Sequence, residues 1–431
     1  MKKRQVLTRV MGWAGWLILG LNSGPSMGGV IYPNDPDRLA LTRMEAEYIV
    51  ACQDMDLTSP AYGAINNVYG RATWVVPSEN AMAILGLVLA AEILPDPNYL
   101  THAQLAADYL VRVQDSDDGA WCNQYDYDKP SDPGQSPRHT AEVMIALHKL
   151  GFDPKRYVTM SRGAWYLMDC QAVSNKGGRD DGLLGGGKDS HGMHQGWRWT
   201  HDNAYAYWAL KAAEAWATKQ GEAAFATTCA SSTQRVLEGI NTHLYDRVRN
   251  TGVWHIAIDG SGNPQWPSSG LQNLPSWIQY APQMLDLPVQ DVNSFQVGQW
   301  IHDSFQQRDG SCIHYEWEDG QCKTRKYPGY SFQAALCWFD TGHPDLAAAA
   351  IRWSLGSGLW QTRRDANNQA GGWIDWVEVK PTPGRRADWW QRFIDTSFYA
   401  IAACNGGYDF CHSREGGNPD SLTAEDIGDA E

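Results

Sequence analysis

The sequence predicts an all-α fold, an (α/α)6 toroid in which six helical hairpins close into a ring, with short β-hairpins in the loops of one face. Three observations carry that prediction. A loop rich in glycine and aromatic residues recurs six times, as Tyr69-Gly70-Arg71-Ala72-Thr73-Trp74, Asp118-Gly119-Ala120-Trp121, Asp181-Gly182-Leu183-Leu184, Gly252-Val253-Trp254-His255, Asp309-Gly310-Ser311-Cys312 and Gly371-Gly372-Trp373-Ile374-Asp375. A period of about 60 residues marks stacked supersecondary units rather than independent domains. The helical stretches between these loops are of two kinds, and the links joining them alternate between short and long.

The stretches 79–94, 138–151, 201–217, 272–286, 330–341 and 392–405 are apolar or aromatic over most of their circumference. A helix of that kind is buried on every side, so these six form the inner ring. The stretches 37–53, 98–114, 154–171, 222–242, 290–307 and 344–360 are more one-sided. In the second of them Tyr99, Ala103, Ala106, Leu110 and Val113 recur at spacings of three and four, the signature of one buried face. These form the outer ring. Inner helices lead to outer ones through a few residues, as at Pro95-Asp96-Pro97, Phe152-Asp153 and Gly342-His343, whereas the return runs through the long loops. All long loops therefore gather on one face beside the inner-helix N-termini, whose dipoles favour negative charge. Loops on a rigid scaffold are where binding and chemistry concentrate, so the site belongs on this mouth.

The ends have a different composition. Residues 1–28 combine Lys2, Lys3, Arg4 and Arg9 with a 12-residue apolar run, Val10 to Leu21, and small residues beyond it. That pattern predicts a secretory signal and an exported chain, periplasmic or extracellular. The run falls short of the roughly 20 apolar residues of a spanning helix, so membrane contact requires the leader to stay uncleaved as an anchor. Residues 29–410 contain no Pro-, Ser- or charge-rich linker and are expected to form a single domain. Residues 411–431 are polar and are expected to be disordered.

A net charge of −14 excludes a phosphate-binding face of the kind a nucleic-acid partner needs. The nine cysteines include no Cys-x-x-Cys pair or tight His/Cys cluster, so no structural metal is expected. Cys312 and Cys322 flank the turn signal Glu318-Asp319-Gly320, which makes them the best disulfide candidates. No glycine-rich loop follows a strand into a helix as a nucleotide site requires, and no organic cofactor is expected.

Repeat number, helix order and aromatic mouth loops together resemble the six-hairpin glycosidase-like superfamily, the α/α toroids of many glycoside hydrolases and some polysaccharide lyases. The resemblance covers roughly residues 37–408 and implies the fold more strongly than a reaction. A related toroid serves isoprenoid cyclases and prenyltransferases, so the fold alone does not choose between sugars and lipids. The resemblance implies a poly- or oligosaccharide substrate. Of 21 tryptophans, Trp74, Trp121, Trp197, Trp199, Trp254 and Trp373 lie in mouth loops or at helix starts. An indole face suits the apolar face of a pyranose, although the same rings can pack beneath the loops.

The densest chemistry is His191-Gly192-Met193-His194-Gln195-Gly196-Trp197-Arg198-Trp199-Thr200-His201-Asp202-Asn203-Ala204, which opens the third inner helix. Asp202 there either caps the helix or acts on substrate. Acid-Asn-Ala recurs as Glu79-Asn80-Ala81 at the first inner helix. Glycoside hydrolysis needs one carboxylic acid and one carboxylate. Asp202 with Glu79 is the preferred pair, Asp181 the first substitute, and His201 a further catalytic candidate. His139, Asn203 and Asp375 join the tryptophans as binding candidates. A lyase or sugar epimerase would instead use a base such as His201 or His139, with Asn203, Arg138 or Arg198 steadying negative charge. A non-catalytic glycan-binding toroid is the third alternative.

Overall fold

The computed structural model describes residues 36–66, 74–174, 182–247, 253–265, 276–318, 321–357, 359–360, 371–374, 377–378 and 392–406, all within one compact unit. The leader, the tail, Gly70, Asp181 and Asp375 lie outside these residues. Six inner helices alternate with six outer ones. The inner helices are α2 (Pro77–Ile93), α4 (Pro137–Lys149), α6 (Thr200–Gln220), α8 (Ser276–Met284), α10 (Pro328–Asp340) and α12 (Ile394–Cys404). The outer helices are α1 (Pro36–Ala51), α3 (Asn98–Val113), α5 (Tyr157–Ser174), α7 (Ala223–Gly239), α9 (Ser294–Phe305) and α11 (Pro344–Gly356).

Each inner helix packs on its two inner neighbours, and α12 packs back on α2, so the ring closes. Pattern explains the sorting: α2 is buried at every position from Ala81 to Ala90, whereas α3 buries only Tyr99, Ala103, Ala106, Ala107, Tyr109 and Leu110. Helix starts are set locally. Pro occupies the first turn of α2, α4, α10 and α11, where its missing N–H costs nothing, and the Ser136 hydroxyl accepts from the Arg138 amide at the start of α4.

The strands all lie in the connections that enter inner helices: β1 (Trp74–Val75), β2 (Gln124–Asp126), β3 (Lys129–Asp132), β4 (Arg198–Trp199), β5 (Ala257–Ile258), β6 (Pro264–Gln265), β7 (Ile313–Glu318), β8 (Gln321–Lys326), β9 (Trp373–Ile374), β10 (Val377–Glu378) and β11 (Arg392–Phe393). They tie adjacent mouth loops together, as β1 to β2, β4 to β5 and β8 to β10. In the β7–β8 hairpin Trp317 faces Cys322. Cys312 precedes β7 and is about 17 Å along the strand from that position at 3.4 Å per residue, and its thiol is free. The proposed Cys312–Cys322 bridge is therefore corrected: the turn forms where expected, but the two cysteines sit at unequal distances from it.

The recurring glycine has a steric cause. Gly182, at φ +73°, and Gly310, at φ +91°, press their Cα atoms against outer helices, so an added Cβ would lie 2.2 Å from the Arg235 carbonyl oxygen and 2.5 Å from that of Ala349. Gly63, Gly119 and Gly371 meet α3, α5 and α1 in the same way, so Gly63 rather than Gly70 is the first repeat's counterpart.

Just past several of these loop glycines, the backbone is held from an inner helix, directly or through Glu45. Asn80 exchanges two hydrogen bonds with Ile65, at 2.8 and 2.6 Å. Asn203 accepts from the Leu184 amide at 2.8 Å and donates to the Trp199 carbonyl at 2.8 Å. Gln279 clasps Trp254, Ser331 takes the Cys312 amide, and Ser397 acts through Glu45, which receives the Gly372 amide. The repeated acid-Asn-Ala thus marks a clasp, and Asn203, fully buried with both amide ends engaged, is removed from the binding candidates. Asn203→Ala is expected to lower stability by about 2 kcal/mol, the cost of stranding buried backbone groups, with KM unchanged in the folded fraction. Denaturant titration beside steady-state kinetics checks this.

Candidate active site

The third mouth loop delivers its residues through β4. The Thr200 amide donates to the Ile256 carbonyl at 3.0 Å, anchoring the first turn of α6 and fixing His201 and Asp202 at the mouth. His201 Nε2 lies 2.8 Å from Asp202 Oδ1. Both side chains are almost fully buried, yet both line a cavity of about 480 Å3, shared with Trp199, Gln135, Asn123, Asp132 and Lys188. A histidine held by a carboxylate in this way is fixed in orientation, and the carboxylate stabilises the imidazolium once it forms.

The neighbouring helix α4 supplies Arg138 and His139 in its first turn. Arg138 Nε donates to Glu142 Oε1 at 2.8 Å, one turn deeper. Burial, reinforced by the Arg138 guanidinium, pushes the His139 imidazole down to about 3, against the opposing pull of Asp202. Burial lowers His201 as well, partly offset by Asp202. Both imidazoles are therefore neutral at physiological pH. His139 Nδ1 has no hydrogen-bond partner among the described residues. Deeper still, Tyr205 of α6 hydrogen-bonds Tyr399 of α12, the helix opposite in the ring, so the pair crosses the axis beneath the mouth. Burial raises the Glu142 and Asp395 carboxyls above the usual carboxylate range.

The structure places the sequence candidates His201, Asp202, His139 and Arg138 near one another, and adds Glu142, Tyr205 and Tyr399. Arg138 to Glu142 is an i,i+4 step and Asp202 to Tyr205 an i,i+3 step, spacings from which the deeper members were readable. Glu79 lies half-buried in the first turn of α2, two places from α6 in the ring. The Glu79–Asp202 pair thus comes from non-adjacent helices.

The tryptophans divide. Trp197 is 41 % exposed and stacks on Trp199 with 5.6 Å between centroids, and Trp199 stands 6.2 Å from the His201 ring, giving an aromatic path to the cavity. Trp74 is half-buried on β1 and its indole N–H has no partner among the described residues. Trp121, Trp254 and Trp373 are fully buried, which corrects their assignment as sugar-stacking residues. Trp121 donates to the Leu110 carbonyl at 2.8 Å, Trp254 packs on Tyr245, and Trp373 stacks on Trp360. At Trp121 and Trp373 the glycine contact turns the loop inward, so the ring that follows fills the gap between the helix layers. Trp121→Ala is expected to cost about 3–5 kcal/mol of stability, whereas Trp197→Ala should stay within about 0.5 kcal/mol of wild type and raise KM. Paired thermal melts and kinetics separate the two.

Among the described residues, no group of three or more His, Cys, Asp or Glu side chains is placed to hold a metal ion, and no helix is long and apolar enough to cross a membrane.

No protein-family model matches the chain, and no curated protein matches it. Solved structures do. Cellobiose 2-epimerase from Bacillus thermoamylovorans B4167 superposes with a TM-score of 0.60 at 11% identity, covering 84% of this chain and 97% of that one. D-mannose isomerase gives 0.58 at 14% identity, over 89% and 98%. A glycosidase variant in complex with glucose gives 0.58 at 12% identity, over 86% and 97%. At these identities the likeness concerns the path of the chain. Helix order, ring closure and these superpositions agree: the chain has the (α/α)6 toroid fold that these solved structures share.

Proposed function

We propose that the chain is a sugar-active enzyme whose mouth transfers a proton at a carbon beside a carbonyl, as in epimerisation or isomerisation. The observation that carries this reading is the His201–Asp202 pair, 2.8 Å apart, lining the cavity with a neutral imidazole. An open-chain aldose presents its carbonyl to this site. His201 removes the proton from the adjacent carbon, and the electron pair moves onto the carbonyl oxygen. His139 donates a hydrogen bond to that oxygen as a neutral imidazole, and the Arg138 charge offsets the developing enediolate. Once the intermediate has turned, returning the proton to the other face of the same carbon gives the epimer; returning it to the neighbouring carbon, with the hydroxyl proton passing from one oxygen to the other, gives the ketose. An epimerase and an isomerase among the similar structures support a sugar substrate.

Hydrolysis is the second reading, favoured by the raised carboxyl of Glu142, which feels the charges of both Asp202 and Asp395, and by that of Asp395, since one protonated and one ionised carboxyl is what glycoside cleavage uses. The pH profile separates the two. With His201 as base, the acid limb of kcat/KM falls below pH 6.5, because its imidazole titrates below the ordinary histidine value; an alkaline limb set by a carboxylic acid would instead support Glu142 or Asp395. For location, the composition of residues 1–28 supports export, and the mass of the mature chain recovered from cells checks for leader removal.

A further inference from the structure

Part of the cavity wall belongs to the second mouth loop, which contributes Asn123, Asp132 and Gln135. Gln135, 5 % exposed, donates its amide nitrogen to Asp118 Oδ1 at 3.1 Å, which fixes the orientation of the amide and leaves Oε1 without a partner. Asn123 donates to Asp132 Oδ2 at 3.3 Å, and its Oδ1 is likewise without a partner. In both side chains a carboxylate holds the amide nitrogen, and the amide oxygen is left as an open acceptor. Lys188 is the one cation among the described residues lining this cavity, and Asp118 holds it at 2.7 Å. Asp132 and Asp189 add negative charge along the same wall, Asp189 kept ionised by the Met193 and His191 amides.

An unpaired buried acceptor costs about 1–3 kcal/mol, and a ligand hydroxyl recovers it. A carboxylate recovers nothing there, since it brings acceptors to acceptors and negative charge to negative charge. We propose that the acceptor wall of Asn123, Gln135 and Asp132 selects an uncharged sugar, or an uncharged sugar end, that donates two hydroxyls, and rejects uronic acids. The proposal rests on the sugar-active reading of the same site and names its substrate class.

Equilibrium binding to the full chain tests it, with glucose, mannose and cellobiose as neutral probes and glucuronate and galacturonate as anionic ones. Asp202→Asn protein is used in parallel, so that no turnover enters the measurement. The expected result is that at least one neutral probe binds ten-fold or more tightly than either uronate, and that Gln135→Met and Asn123→Leu each weaken that binding by 5- to 150-fold. Uronates binding as well as neutral sugars, no sugar binding at all, or both variants binding like wild type overturns it. If one variant fails to fold, the other and the wild-type comparison decide. Selective binding without proton exchange would sink the proposed reaction while leaving this selectivity standing.

Discussion

Asp202→Asn should lower turnover by about 10²–10⁴-fold while far-UV circular dichroism stays that of the folded toroid. The amide keeps the size of the side chain but not its charge. His201 then loses the carboxylate 2.8 Å from its Nε2, which both aims the ring and stabilises the imidazolium formed on proton removal. It follows that the acid limb of kcat/KM moves to lower pH in the variant, because Asp202 raises the His201 pKa and its removal takes that support away. A variant with less than ten-fold loss, an unmoved limb and about 1 kcal/mol lower stability would show that Asp202 serves the helix start instead.

Gly182→Ala should destabilise the protein by about 3–5 kcal/mol, a large effect for adding one methyl group. Two costs combine. Left-handed backbone costs an L-residue about 1–2 kcal/mol, and a Cβ 2.2 Å from the Arg235 carbonyl oxygen forces the loop off α7. Against a total stability of about 5–15 kcal/mol, much of the margin disappears. Gly192→Ala is the control, because Gly192 has φ +76° with nothing within 4 Å of the place its added methyl would take, so only the conformational cost applies. Guanidinium titration of both variants should show Gly182→Ala several-fold more damaging. Equal losses would mean that the approach to α7 contributes nothing.

The fold was legible because its two strongest signals repeat. Helices buried all round, such as α2, differ in composition from one-sided ones such as α3, and the glycines pressed against outer helices, Gly63, Gly119, Gly182, Gly310 and Gly371, leave no room for a Cβ. Six repetitions make even a weak local signal unambiguous. The site was legible only where residues are neighbours in sequence. His201 and Asp202 adjoin in the chain, and His139 holds the matching place at the start of α4. The acceptor ends of Asn123 and Gln135 were not legible, because which end of an amide faces the cavity depends on Asp132 and Asp118, residues that the chain path alone brings alongside. The tryptophans misled for a related reason. A glycine-Trp loop reads as an exposed platform, but once the glycine docks on a helix the ring that follows is carried inward, as for Trp121. Trp197 and Trp199 follow no such docked glycine, and Trp197 keeps an exposed face.

The most direct measurement is deuterium exchange: incubate the chain with neutral aldoses and their disaccharides in D2O and follow the carbon next to the carbonyl by NMR and mass spectrometry. Proton transfer by His201 predicts one deuterium entering at that carbon in the epimer, or at the former carbonyl carbon in the ketose, and neither with Asp202→Asn. New reducing ends released with no deuterium at that carbon would contradict the account and assign the mouth to hydrolysis, and a substrate bound but left unchanged would assign it to binding alone.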